Sequence, residues 1–99
     1  MYSPPDRTVN EMLEKRRKEI TRLMAGALRY LGVESYDLSV VKRRKIDIFD
    51  PESAVFIIKA DTEPILKPDE VSFITQSLQN MNYKVKRIEH RGTRLLIFV

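Results

Sequence analysis

Residues 54–60 read AVFIIKA, and residues 93–99 read TRLLIFV. Both segments are short, are rich in branched and aromatic residues, and carry apolar side chains at odd and at even positions. A strand that is apolar on both faces lies inside a sheet, because an edge strand would expose many of those side chains to water. The sequence therefore predicts that these two segments are adjacent central strands of one sheet.

The segment that precedes each central strand shows a weaker strand pattern. Residues 36–49 alternate apolar and polar side chains around a run of four cations, and residues 83–89 alternate in the same way. Residues 50–53, with sequence DPES, and the dipeptide at 91–92, with sequence RG, have the composition of turns. Basic side chains protect sheet edges from pairing with other chains. We therefore predict two hairpins whose basic strands, 36–49 and 83–89, are the two edges.

Two helices complete the predicted secondary structure. The first is expected from Thr8 to about Leu31, because apolar residues recur every three or four positions, and Glu11 completes a capping box with Thr8. Gly32 is then the residue after the helix, where a left-handed conformation is common. The second helix is expected to start at Pro68, a residue that suits the first helical position, and to end at one of the asparagines at 80 and 82.

The predicted order is thus α-β-β-α-β-β, which places the chain in the α+β class. Moving the last strand to the front gives β-α-β-β-α-β, so we predict a permuted ferredoxin-like fold, with a four-stranded antiparallel sheet and two helices on one face. A continuous antiparallel meander crossed by two helices is the alternative. Residues 1–7 contain two prolines and are expected to form a flexible N-terminal arm, and residues 8–99 are expected to form a single α+β domain.

The amino-acid composition excludes several kinds of site and indicates where the protein is located. The 99 residues include no cysteine, which excludes disulfides, thiol catalysis and zinc sites built from thiolates. No apolar run is long enough to cross a membrane and no signal peptide is recognised, so we expect a cytoplasmic protein without membrane contact. The charged fraction of 32% and the scarcity of glutamine, asparagine and glycine are typical of thermostable proteins.

Signals for catalysis are weak throughout the chain. His90 is the only histidine, and the three glycines are isolated, so the phosphate loops of nucleotide-binding enzymes are missing. A catalytic serine motif is also missing. Neighbouring carboxylates such as Asp69 and Glu70 are better explained as favourable charges in the first turn of a helix. We therefore expect no enzymatic activity, no metal site and no cofactor.

Clusters of cations are the most distinctive feature. The chain has a net charge of +4, and residues 83–99 alone contribute +4. Clustered lysines and arginines bind phosphates and release counterions from nucleic acid, although such residues also serve simply as solvated, protective charges on a sheet edge. Under the first interpretation, DNA or RNA is the partner. The predicted phosphate contacts are Lys42, Arg43, Arg44, Lys45, Lys84, Lys86, Arg87, Arg91 and Arg94.

A second surface is predicted from the sheet itself. Two helices cover one face of a four-stranded sheet, so a pair of central strands that is apolar on both sides leaves an apolar face open. A second copy of the chain would cover it, and the first half of the long helix would extend the contact. The open face holds one of two sets, the first containing Phe56 and the second Ile57. Taking the first set, the predicted homodimer interface comprises Val9, Met12, Leu13, Phe56, Ile58, Leu96 and Phe98.

Two functions follow from these surfaces. The first is a non-enzymatic, dimeric nucleic-acid-binding or regulatory protein that contacts phosphates through its basic clusters. The second is a structural or assembly protein that acts by homo-oligomerisation or by protein contacts through its apolar sheet face. The position of the basic clusters distinguishes the two functions, because phosphate binding requires the clusters to lie close together on the surface. Because the two basic strands are predicted at opposite edges, a continuous phosphate track within one protomer is not expected.

Overall fold

The computed structural model describes residues 5–43 and 54–99. Its elements are α1 (Pro5–Tyr30), β1 (Ser35–Lys42), β2 (Phe56–Glu63), α2 (Pro68–Asn80), β3 (Arg87–Arg91) and β4 (Arg94–Phe98). The predicted order α-β-β-α-β-β and the α+β class are therefore confirmed. The turn predicted at 50–53 and the second half of the long basic strand lie outside the described residues.

The four strands form one sheet in the order β1-β2-β4-β3, with every neighbouring pair antiparallel. The two strands predicted from AVFIIKA and TRLLIFV are the central pair, and the two basic strands are the edges. This order is consistent with a circularly permuted ferredoxin-like fold. The alternative of a continuous meander is wrong, because β2 pairs with β4 and not with β3.

Register assigns the two faces of the sheet. Ile58 lies opposite Ile97 in the ladder, and Ile57 lies opposite Phe98. Residues that face each other across an antiparallel pair project to the same side. Ile58 and Ile97 are fully buried, so their side is the one that the helices cover. The other side, which we call the open face, carries Ser35, Asp37, Ser39, Val41, Ile57, Lys59, Asp61, Glu63, Arg87, Glu89, Arg91, Arg94, Leu96 and Phe98.

The predicted grouping of residues on the uncovered face is wrong for β2. Phe56 and Ile58 are 3% and 0% exposed, so they contribute to the core and not to an interface. The register pairs an odd-numbered residue of β2 with an even-numbered residue of β4. Alternation within each segment determines which residues share a side, but it does not determine how the two strands are paired. Ile57 therefore joins Leu96 and Phe98 on the open face.

The core is a single layer of apolar side chains between the sheet and the two helices. α1 contributes residues from its second half, α2 contributes one face, and the central strands contribute every second residue. The members with no exposed surface, or with 1%, are Ile20, Met24, Leu28, Ile58, Ala60, Ile74, Leu78, Leu95 and Ile97.

The first helix begins earlier than predicted. It starts at Pro5, so residues 5–7 are helical and do not belong to an irregular arm, and Thr8 is inside the helix and not its N-cap. Proline at the first helical position has no N–H group that needs a partner, which favours this earlier start. The predicted end is confirmed: Gly32 has φ of +78°, and its N–H donates to the carbonyl of Arg29.

The second helix begins at Pro68, as predicted, and the N–H of Lys67 donates to Glu70 Oε1 at 2.9 Å. It ends at Asn80, one of the two predicted positions. Asn82, with φ of 67°, follows the C-cap, and residues 83–86 then carry the chain to the sheet. For this reason β3 starts at Arg87, four residues later than predicted. The tight turn is Gly92-Thr93 and not Arg91-Gly92, because Arg91 still pairs with Arg94.

The assignment of faces predicts unequal effects for two neighbouring isoleucines. Ile58→Ala removes a fully buried side chain and is expected to lower the free energy of unfolding by about 2–5 kcal/mol. Ile57→Ala, on the open face, is expected to cost less than half as much. Urea unfolding of both variants measures the difference, and equal or reversed losses would contradict the assigned faces.

Candidate nucleic-acid interface

Cations from both edges of the sheet meet at one end of the open face. A depression of about 210 Å³ is lined there by Arg43, Ala54, Lys86, Arg87 and Phe98. We call it the basic depression. Arg43 directly follows the edge strand β1, whereas Lys86 and Arg87 stand at the start of the opposite edge strand, β3. Three of the nine predicted phosphate contacts are therefore brought together.

Backbone hydrogen bonds hold these segments in place. The N–H of Arg43 donates to the carbonyl of Val55 at 2.9 Å, and the N–H of Val55 donates to the carbonyl of Val99 at 2.7 Å. Across the sheet, the N–H of Lys86 donates to the carbonyl of Phe98 at 2.7 Å. The ladder thus continues past the ends of the assigned strands. The basic depression is built on paired backbone and not on free loops.

An aromatic ring forms part of the wall. The guanidinium carbon of Arg87 lies 4.2 Å from the centroid of the Phe98 ring, which is a cation–π contact. Arg87 Nε also lies 3.5 Å from Glu89 Oε1, although the Arg87 side chain is 62% exposed. Such exposed contacts contribute about 1 kcal/mol or less each. Arg87 is therefore oriented over the ring without being fixed there.

The expectation that opposite edges keep the basic clusters apart is wrong for these residues. The edges do lie on opposite sides of the sheet, about 14 Å apart if each of the three strand spacings is ~4.8 Å. Lysine and arginine have long side chains, and those of Arg43 and Lys86 border the same depression. Strand order alone therefore underestimates how closely the charged groups at the end of a sheet can approach.

Two of the remaining predicted contacts, Lys42 and Lys84, are not part of this site. Lys42 is on the helix-covered side, with its Nζ 3.5 Å from Asn10 Oδ1 of α1. Lys84 lines a different depression, between the end of α2 and the connection to β3. Arg44 and Lys45 lie outside the described residues.

Two more predicted contacts, Arg91 and Arg94, lie on the open face at its other end. Arg91 Nη2 is 3.1 Å from Glu89 Oε2, and Arg94 Nε is 3.0 Å from Asp61 Oδ2. Thr93 Oγ1 also donates to Asp61 Oδ1 at 3.0 Å. The hydrogen bond from Arg94, with a smaller effect from Thr93, holds the pKa of Asp61 below its usual value. Both arginines are thus partly neutralised.

The far end of the sheet carries carboxylates as well as these two arginines. A larger cavity of about 920 Å³ lies there, and its lining includes the carboxylates of Asp37, Asp61 and Glu63. The hydroxyl of Thr62, which is 3% exposed, has no hydrogen-bond partner at this end. Because carboxylates repel phosphates, this mixed end is less favourable to an anionic ligand than the basic depression.

The predicted interface residues divide between three places. Leu96 and Phe98 are partly exposed on the open face beside Val41 and Ile57, and we call these four side chains the apolar strip. Val9 and Met12, near the start of α1, are 52% and 53% exposed. Leu13 is partly buried and packs against the core. Phe56 and Ile58 are buried within the core. Ile57 belonged to the set that was not chosen, and Val41 was not predicted, because only the register places both beside Phe98.

Other candidate sites are not supported by a cluster of ligands. His90 is exposed on β3. Within residues 5–43 and 54–99, no group of three histidine or carboxylate side chains is arranged to hold a metal ion. In the same part of the chain, neither helix has the length and apolarity that crossing a membrane requires.

The contact between Asp61 and Arg94 generates a prediction about acidity. In the native protein the pKa of Asp61 is expected to lie below 3.8, and Arg94→Gln is expected to raise it toward that value. Because the folded pKa is depressed, this contact stabilises the fold above the unfolded pKa, and its contribution is lost as pH falls through the folded pKa. Carboxyl NMR titration measures both values. An unchanged pKa in Arg94→Gln, with Lys67→Gln as control, would contradict the assigned cause.

Comparison with known proteins supplies no relative from which a function could be transferred. No family model matches the chain, and no curated protein or solved structure matches it.

Proposed function

We propose that this protein binds nucleic acid, DNA or RNA, without catalysing a reaction on it, and that the basic depression contacts phosphates. One observation carries the proposal. Arg43, Lys86 and Arg87 come from opposite edges of the sheet and line one depression on an otherwise open surface. Convergence of this kind distinguishes a binding site from cations that merely protect an edge.

The chemistry of these groups suits a phosphate backbone. Each lysine or arginine that neutralises a phosphate releases condensed counterions, which supplies most of the affinity for nucleic acid. Arginine adds paired N–H donors that match phosphate oxygens. Arg87 and Arg91 both pair with the half-buried Glu89, but their own side chains are largely exposed to solvent. Ion pairs of exposed side chains contribute little, so phosphates can replace the carboxylate. The open face therefore has cations available without breaking the core.

Assembly through the apolar strip is the second candidate function. Four adjacent apolar side chains on an uncovered sheet face favour contact with another protein surface, and a second copy of the chain is the simplest partner. Such a dimer would bury Phe98 and block the basic depression. A dimer formed instead through Val9 and Met12 of α1 would leave the open face free for nucleic acid.

Salt dependence tests the proposed function directly. Fluorescence anisotropy with labelled single- and double-stranded oligonucleotides, measured from low to moderate salt, gives the slope of log K against log salt. Three to five phosphate contacts predict a slope of about −2 to −3.5 on single strands. Absence of binding at low salt, or binding that does not change with salt, would contradict the proposal.

A charge-matched pair of variants locates the site. Arg43→Gln combined with Lys86→Gln is expected to weaken binding to all sequences similarly and to reduce the salt slope by about 1 per residue. The control, Lys15→Gln with Lys67→Gln, removes the same charge from α1 and from the opposite end of the sheet. Equal losses in the two double variants would show that net charge, and not the basic depression, is responsible.

Sedimentation separates the two candidate functions. The assembly function predicts a species of twice the 11.6 kDa chain mass that Leu96→Asp dissociates. If the open face binds nucleic acid as a free surface, Leu96→Asp leaves the mass unchanged and weakens oligonucleotide binding, because a carboxylate then faces the phosphates.

A further inference from the structure

Phe98 occupies a special position on the open face. It is the only aromatic side chain among the fourteen strand residues that define this face, and it belongs to a central strand. Val41 and Ile57 lie beside it in the same row, and Arg87 lies on its other side. A partly exposed ring is thus surrounded by flat aliphatic surface and by cations.

The contact between Arg87 and Phe98 indicates which kind of chemical group can pack on the Phe98 ring. Its guanidinium is a planar, delocalised group, and it lies over the ring at 4.2 Å. A nucleic-acid base is another planar π system, and base–aromatic stacking accepts every base. Because the Arg87 side chain is 62% exposed and, apart from the ring, contacts only the half-buried Glu89 in the described contacts, its guanidinium can leave the ring and bind a phosphate. A base can then replace it on Phe98.

The width of the open face favours single-stranded nucleic acid over a duplex as the ligand. Bases in a duplex are stacked on one another and can be reached only through the grooves, of which the wider is about 12 Å across. The backbones of the four strands already span about 14 Å, and side chains add to that width. The open face is therefore too broad to carry the central Phe98 to a base inside a duplex. An unpaired base meets no such obstacle.

We infer that the ligand is single-stranded nucleic acid, that one unpaired base stacks on Phe98, and that Arg43, Lys86 and Arg87 bind the phosphates beside it. The inference rests on the proposed function and specifies its substrate class. The stacking supplies affinity that does not depend on salt, and the cations supply the part that does.

Tryptophan substitution gives a direct probe of stacking. The chain contains no tryptophan, so Phe98→Trp introduces a single fluorophore that keeps an aromatic ring at this position. Unlabelled dT and rU oligonucleotides are expected to quench its fluorescence at concentrations that match the binding isotherm, and a duplex of equal length is not. The control, Phe73→Trp, places the fluorophore on α2, where no quenching is expected.

Affinity measurements complete the test. Phe98→Leu is expected to weaken single-strand binding by about 5- to 150-fold at constant salt, because base–aromatic stacking contributes about 1–3 kcal/mol per base. The salt slope is expected to stay the same. Phe98→Tyr is expected to bind like the native protein, and thermal melting of each variant verifies folding.

The outcomes separate the two proposals. If the native protein shows salt-dependent binding but Phe98→Trp is not quenched, or if duplexes bind as tightly as single strands, the stacking inference is overturned while the proposed function stands. If the native protein binds neither kind of nucleic acid at low salt, the proposed function fails and the inference fails with it. Quenching in Phe98→Trp together with loss of affinity in Phe98→Leu supports both.

Discussion

Pairing of β2 with β4 is the constraint on which the rest of the structure depends. It places Ile58 opposite Ile97 beneath the helices, and by the same register it places Ile57 opposite Phe98 on the open face. A shift of one residue would exchange the two sides and expose the largest buried side chains. The cost of that exposure stabilises one register, and the register determines which side chains are available to a ligand.

The candidate site is a consequence of that pairing. Because β4 lies between β2 and β3, its last residues accept hydrogen bonds from both neighbours, and Phe98 is held at the end of the face. The two edge segments meet the same end of the sheet, one at Arg43 and the other at Lys86. Cations lie around Phe98, whereas the opposite end carries carboxylates together with Arg91 and Arg94. A phosphate backbone and an unpaired base match this combination of charge and exposed ring.

Much of the fold was predictable from local patterns, and the site was predictable only in part. Apolar residues on both faces of two segments identified the central strands, and Pro68 and Gly32 marked a helix start and a helix end. Local patterns carry no information on register, so Ile57 was not preferred over Ile58 on the open face. They also could not show that side chains from opposite edges would meet at one end. The residues of the basic depression were recognised individually, but their convergence required the three-dimensional structure.

The central claim is that cations from both edges and Phe98 act as one nucleic-acid-binding surface. Amide NMR spectra recorded while a short dT oligonucleotide is added test it most directly. We expect shifts around Arg43, Lys86, Arg87 and Phe98 that saturate together, with little change around Glu63 at the opposite end of the sheet. Shifts confined to the helices, or to one edge of the sheet only, would contradict it.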